Sequence, residues 1–139
     1  MKKQLFLFFS FLSSAAFLQA QILELNPAFP TVNDVVTITY DATQGNAALV
    51  GQSQIYCHAG LITSASTSPT NWQFVQGNWG TVDPEVAMTN IGNNKHTITI
   101  DIDQFYGFPA GTNVLKLAFV FRNASGNIVG RAADGSDIY

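Results

Sequence analysis

The stretch Val35–Asp41, with the sequence VVTITYD, alternates between apolar and polar side chains. Val36, Ile38 and Tyr40 point to one side of an extended chain, and the threonines between them point to the other. A period of two residues is that of a β-strand with one buried and one solvent-facing surface. The stretch therefore predicts a strand whose three larger apolar residues lie in a core.

Similar short runs recur along the chain, and turns that contain Gly, Asn or Pro separate them. The longest run is Val114–Arg122, in which Leu115, Leu117, Phe119 and Phe121 share one face. No stretch predicts a convincing helix. The other predicted strands are Ile22–Leu25, Gln54–Ala59, Trp72–Val75, Val86–Thr89, His96–Ile102 and Ile128–Arg131.

This pattern predicts an all-β fold, an immunoglobulin-like β-sandwich of about seven to nine antiparallel strands. Cys57 is the single cysteine, so the disulfide that bridges the sheets of antibody domains is excluded. Cys57 shares a strand face with Ile55 and Ala59, and we interpret it as a buried, apolar side chain.

The first 20 residues have the composition of a signal peptide. Lys2 and Lys3 form a positive start, Leu5–Leu18 is mostly apolar, and Ala20 suits a cleavage site. The pattern predicts secretion to the periplasm, the cell surface or the medium, with no membrane contact after cleavage. An uncleaved membrane anchor is the alternative.

Residues 21–139 then predict one domain. The strand-like end at Asp137–Tyr139 indicates that the sequence is a fragment of a longer protein, with a covalently linked catalytic domain as a partner. The full sequence carries six basic and nine acidic residues, a net charge of −3. It has no basic cluster for nucleic acid or an anionic membrane, and its uncharged polar residues suit a neutral ligand.

Catalytic patterns are absent from the sequence. Asp101 and Asp103 lie on the outward face of a predicted strand, which is typical of solvated carboxylates rather than of a glycosidase pair. Cys57 and His58 are neighbours on a strand and point to opposite faces, so they do not form a dyad. The sequence thus predicts no enzyme, no catalytic residue and no cofactor.

One metal site remains as an alternative. Asp134 and Asp137 flank the turn at Gly135, and carboxylates on a turn can gather around a structural calcium ion. An ordinary Asp-Gly turn explains the same residues. The two histidines lack the spacing of zinc ligands.

Aromatic and amide residues are concentrated in Ile55–Gly80. Tyr56 and His58 share the outward face of a strand, and Trp72 and Trp79 follow in a segment with loop composition. Aromatic rings stack on the C–H face of a sugar while amides such as that of Asn78 bond its hydroxyls. The alternative is that both tryptophans, or one of them, cap the core.

Three segments and their order resemble the starch-binding modules of carbohydrate-binding families 25 and 26. They are Val35–Tyr40 (VTITY at its end), Ile55–Gly60 (IYCHAG) and Phe119–Gly126 (FVFRNASG), with the tryptophans between the last two. The sequence is also similar to N-terminal modules of secreted amylases of Bacteroidetes-type bacteria. The resemblance covers most of Thr31–Tyr139.

The resemblance implies a β-sandwich that binds α-glucan without cleaving it. It implies a sugar site formed by His58, Trp72 and Trp79, with Tyr56 and Asn123 as further contacts. The Ser/Thr-rich insert before Trp72 is longer than the usual loop of the family, which leaves open which tryptophan contacts the sugar. The rival interpretation is a structural or interaction domain of a secreted protein that binds no sugar.

Overall fold

The computed structural model describes residues 21–139, so the predicted signal peptide lies outside the described residues. The chain folds into two four-stranded antiparallel sheets. The strands are β1 (Leu23–Asn26), β2 (Val35–Asp41), β3 (Tyr56–Thr63), β4 (Gln73–Gln76), β5 (Thr89–Gly92), β6 (Lys95–Asp101), β7 (Val114–Arg122) and β8 (Val129–Gly130). A 3-10 helix spans Pro84–Val86 and a short helix, α1, spans Ile102–Tyr106. Neither helix is long and apolar enough to cross a membrane.

The strand order confirms the predicted immunoglobulin-like β-sandwich. One sheet has the order β1-β2-β6-β5, and the other has the order β4-β3-β7-β8. An immunoglobulin sandwich places its first, second, fifth and fourth strands in one sheet, and its third strand beside the last two in the other. The present fold has this arrangement, with β4 added at the edge of the second sheet.

The core lies between the two sheets. Val36, Ile38 and Tyr40 of β2 are fully buried, as the alternation of the sequence predicts. Tyr40 stacks on Phe121 of β7, with 4.0 Å between the ring centroids, and so joins the two sheets. Cys57 is buried and unpaired, and burial raises the pKa of its thiol to about 12.

Two predicted strands differ from the structure near Pro84 and Ile102. The strand predicted at Val86–Thr89 is replaced by the 3-10 helix and by β5, because the Asp83 carboxylate caps the helix at the backbone N–H of Glu85. The strand predicted to continue to Ile102 ends one residue earlier. There the Asp101 side chain accepts a hydrogen bond from the N–H of Gln104 and starts α1.

Strand β7 has the predicted bounds, but its first half is not buried. Phe119 and Phe121 lie in the core, whereas Leu115 is 58% exposed. The register between β3 and β7 shifts between Ile62 and Thr63, so Leu115 lies in the resulting bulge at the end of the sheet. Strand β3 also runs four residues beyond the predicted end at Ala59.

Candidate functional site

The outer face of the second sheet carries the predicted site residues of β3. His58 is paired with Val120 of β7, and Gly60 is paired with Ala118. Their neighbours Cys57 and Ala59 point into the core, so the side chains of His58 and Val120 point away from it. This outer face forms the floor of a groove.

The groove, which we call the tryptophan groove, is open to solvent and has a volume of about 370 Å³. His58 and Val120 lie at its base, and Trp72 and Trp79 lie along it. Its lining consists of His58, Thr70, Asn71, Trp72, Val75, Trp79, Val120, Arg131 and Asp137. The structure therefore brings three of the six predicted sugar-contacting residues together in one groove.

Trp79 is fixed in place and exposed at the same time. Its ring meets His58 at 87° with 5.2 Å between centroids, and the Arg122 guanidinium lies 5.8 Å from the ring centroid. Gly126 also lies against the indole, since a Cβ at that position would come within 2.6 Å of Nε1. Trp79 is nevertheless 45% exposed, so it offers accessible aromatic surface whose position is set by its neighbours.

Trp72 packs on the sheet itself. A Cβ on Gly60 would come within 2.9 Å of the Trp72 Cβ and Cε3 atoms, so the glycine is what allows the indole to lie this close to β3. Trp72 is half-buried, with its ring 6.0 Å from that of His58. Both tryptophans lie outside the buried cluster between the sheets, so neither caps the core.

His58 lies between the tryptophans, where burial favours the neutral form of its imidazole. Burial lowers the pKa of His58, and the positive charge of Arg122 lowers it further, while the nearby backbone of Gly77 has the opposite effect. Nδ1 is buried without a hydrogen bond of good geometry. A neutral imidazole can donate a hydrogen bond to a ligand hydroxyl or accept one from it.

Arg122 is one of the residues that our sequence interpretation missed. Its side chain is fully buried beneath the loop that carries Trp79, with the guanidinium 5.0 Å from the centre of the Tyr56 ring. It donates hydrogen bonds to four backbone carbonyls, those of Asn78, Thr81, Asn123 and Ala124. Two of these carbonyls flank Trp79 and Gly80, and the other two belong to the turn after β7. The only available signal was an arginine at the end of an apolar strand.

A second set of contacts shapes the same loop. The Asp83 carboxylate accepts hydrogen bonds from the backbone N–H and the side-chain amide of Asn78, at 2.9 and 3.2 Å. The backbone N–H of Asn78 holds the pKa of Asp83 below its usual value, and the N–H of Glu85 and the charge of Arg122 add to this. The loop from Asn78 to Asp83 is thus closed on itself and fastened to β7.

The other three predicted contact residues lie outside the tryptophan groove. Tyr56 is on the expected face but is only 5% exposed, because Arg122 and the loop cover it. The Asn78 amide is engaged by Asp83. The Asn123 amide lies in the turn after β7, where it donates to Oδ1 of Asn127 at 2.7 Å. In place of these residues, Thr70, Asn71, Arg131 and Asp137 supply polar groups to the groove.

The family model described as "Domain of unknown function (DUF8578)" matches residues 23–129. The chain belongs to the DUF8578 family. The match runs from the start of β1 to the first residue of β8 and includes both tryptophans. No curated protein matches the chain.

The far end of the groove in this DUF8578 domain is polar. Arg131 and Asp137 form an ion pair there, so a donor and an acceptor lie side by side. The second carboxylate of the predicted calcium site, Asp134, bonds the N–H and hydroxyl of Ser136 instead. Within residues 21–139 no three acidic, His or Cys side chains are grouped as metal ligands.

Proposed function

We propose that this DUF8578 domain binds carbohydrate without cleaving it, and that its ligand is starch or a related α-glucan. The observation that carries the proposal is that Trp72, Trp79 and His58 surround one open groove outside the core. A domain that served only as a spacer has no need to hold two tryptophans at its surface.

The chemistry of the groove suits a neutral sugar. The exposed surface of Trp79 can stack on the C–H face of a pyranose, and each stacked ring contributes about 0.5–1.5 kcal/mol beyond the burial of its area. His58, Arg131 and Asp137 are placed to bond hydroxyls at the edge of the sugar. Because the guanidinium and the carboxylate already neutralise each other, a neutral ligand is favoured over a charged one.

The groove favours passive binding over hydrolysis. A glycosidase of the usual type needs two carboxylic acids on either side of the scissile bond. The lining of the tryptophan groove contains one, Asp137, which is ion-paired with Arg131. A groove that makes only two or three weak contacts with a sugar binds it weakly. Such binding is most useful when it keeps a linked enzyme close to its polymer, because this raises the local concentration of substrate. The composition of residues 1–20, which predicts a signal peptide, supports action outside the cytoplasm.

Tryptophan fluorescence of the protein, titrated with maltoheptaose and in parallel with cellohexaose, tests the proposal. We expect a saturable change in the tryptophan emission with the α-glucan only. We expect the Trp79→Ala variant to show no such change while it unfolds at the same thermal midpoint as the parent. Phe29→Ala is the matched control, since Phe29 is 95% exposed, lies in the connection between β1 and β2 of the other sheet, and is not among the residues that line the groove. If neither sugar changes the emission or binds in calorimetry, the rival function as an interaction domain replaces sugar binding.

A further inference from the structure

A second groove lies on the same outer face of the sheet, beyond Trp72. Ile62 and Lys116 are paired across β3 and β7, four residues along β3 from His58. Side chains four positions apart on a strand point the same way and are about 13 Å apart. This groove, which we call the tyrosine groove, has a volume of about 210 Å³.

Tyr139 provides the aromatic surface of the tyrosine groove. Its hydroxyl donates a hydrogen bond of 2.7 Å to the carbonyl of Pro69, and the Lys116 ammonium lies 5.2 Å from the ring centre. The residue is nevertheless 46% exposed. As with Trp79 in the tryptophan groove, specific contacts hold an accessible aromatic ring, here at its hydroxyl and over one face, which reduces the entropy lost on stacking.

The Ser/Thr-rich insert supplies the polar wall of the tyrosine groove. Ser66 and Thr67 line it, and the insert is ordered by its own hydrogen bonds. The N–H of Thr63 donates to the Ser66 hydroxyl at 3.1 Å, and the N–H of Thr67 donates to the Asn71 side chain at 3.2 Å. Asn71 and its neighbour Thr70 belong to the tryptophan groove, so one ordered segment borders both grooves.

We propose that the tyrosine groove is a second carbohydrate subsite, and that a single glucan chain occupies both grooves by passing along the Trp72 side of the sheet. This inference rests on the proposed function of the tryptophan groove. The tyrosine groove repeats the same chemistry, an exposed ring beside short hydroxyl side chains. It also gives the long insert a role, which is to extend the binding surface along β3 and β7.

Calorimetric titrations with maltose and with maltoheptaose test the second subsite. Maltose is short enough to occupy one groove, whereas maltoheptaose can reach both. We expect Tyr139→Ala to weaken binding of maltoheptaose by about 2- to 10-fold, the loss of one stacked ring, and to leave the affinity for maltose in the tryptophan groove unchanged. Tyr139→Phe keeps the ring and loses only the hydrogen bond to Pro69, so its affinity for maltoheptaose should fall less than that of Tyr139→Ala, with the affinity for maltose unchanged. Phe29→Ala is the control for an unrelated exposed ring.

Three results overturn the subsite. The first is that Tyr139→Ala binds maltoheptaose as tightly as the parent while Trp79→Ala does not, in which case the tryptophan groove alone binds sugar. The second is an equal loss for maltose and maltoheptaose, which would mean that Tyr139 acts by positioning the insert. The third is a loss in Tyr139→Phe as large as in Tyr139→Ala, which would assign the effect to the Pro69 hydrogen bond. Absence of glucan binding by the parent protein removes the proposed function itself.

Discussion

The guanidinium of Arg122 donates a hydrogen bond of 2.6 Å from Nη2 to the carbonyl oxygen of Asn78, the residue before Trp79. This bond links the end of β7 to the loop that carries the exposed indole. Since the same guanidinium also lies against the rings of Tyr56 and Trp79, one buried cation organises one whole side of the tryptophan groove.

Replacing Arg122 by lysine should therefore destabilise the protein by about 3 kcal/mol or more. The shorter lysine side chain ends in a single ammonium, which cannot donate hydrogen bonds to all four carbonyls, and each buried group left unpaired costs about 1–3 kcal/mol. Equilibrium unfolding in urea measures the change. Arg131→Lys is the matched control, since Arg131 is partly exposed and its single ion pair is worth about 1 kcal/mol or less. Equal losses in the two variants would contradict a special role for Arg122.

Gly60→Ala should displace Trp72, because the new Cβ would lie 2.9 Å from two of its atoms. We expect a loss of about 1–3 kcal/mol in unfolding free energy, the usual cost of overpacking, together with weaker glucan binding. A double-mutant cycle with Trp72→Ala identifies the cause. If the clash with Trp72 is responsible, Gly60→Ala should cost much less in the Trp72→Ala background; additive costs would show that the strain arises elsewhere.

Stability should fall as the pH drops below about 6.5, because both histidines are held neutral in the folded protein. Burial lowers the pKa of His96, whose side chain is 1% exposed, and burial also lowers the pKa of His58. A folded-state pKa below the unfolded value of 6.5 means that the unfolded chain binds more protons in this range, so acid favours unfolding.

Urea midpoints measured between about pH 7 and pH 5 check this, with His96→Gln as the variant that should flatten the dependence. Four carboxyl groups do not interfere in that range, since the pKa values of Asp34, Asp41, Asp83 and Asp134 are lowered from 3.8. If the urea midpoint of His96→Gln depends on pH as steeply as that of the parent, His96 is not the cause of the acid sensitivity, which is then due to His58 or to neither histidine.

The Cys57 thiol should be inert in the folded protein. It is 1% exposed, and burial raises its pKa to about 12, so the reactive thiolate is scarce near neutral pH. Ellman's reagent should label it immediately in guanidinium chloride and, without denaturant, only at the rate of unfolding. Rapid labelling of the native protein, with no change in the tryptophan emission, would show that Cys57 is reached without unfolding.

Much of the fold follows from the local pattern of the sequence. The alternation in β2 and β7 gives the bounds of both strands and places Tyr40 and Phe121 in the core, because side-chain direction in a strand is fixed by position alone. The short helix α1 was missed because the carboxylate cap of Asp101 starts it directly after a run of β-branched residues that is typical of a strand.

The sequence by itself determined the sandwich, the two faces of β2 and of the second half of β7, and the concentration of aromatic residues near one strand. Only the tertiary structure decided which of those residues share a groove. Tyr56 has the right face but is covered, and Arg122 reaches Asn78 across 44 positions of the chain. The periodicity of a strand specifies a direction for each side chain, whereas exposure depends on which distant loop packs over it.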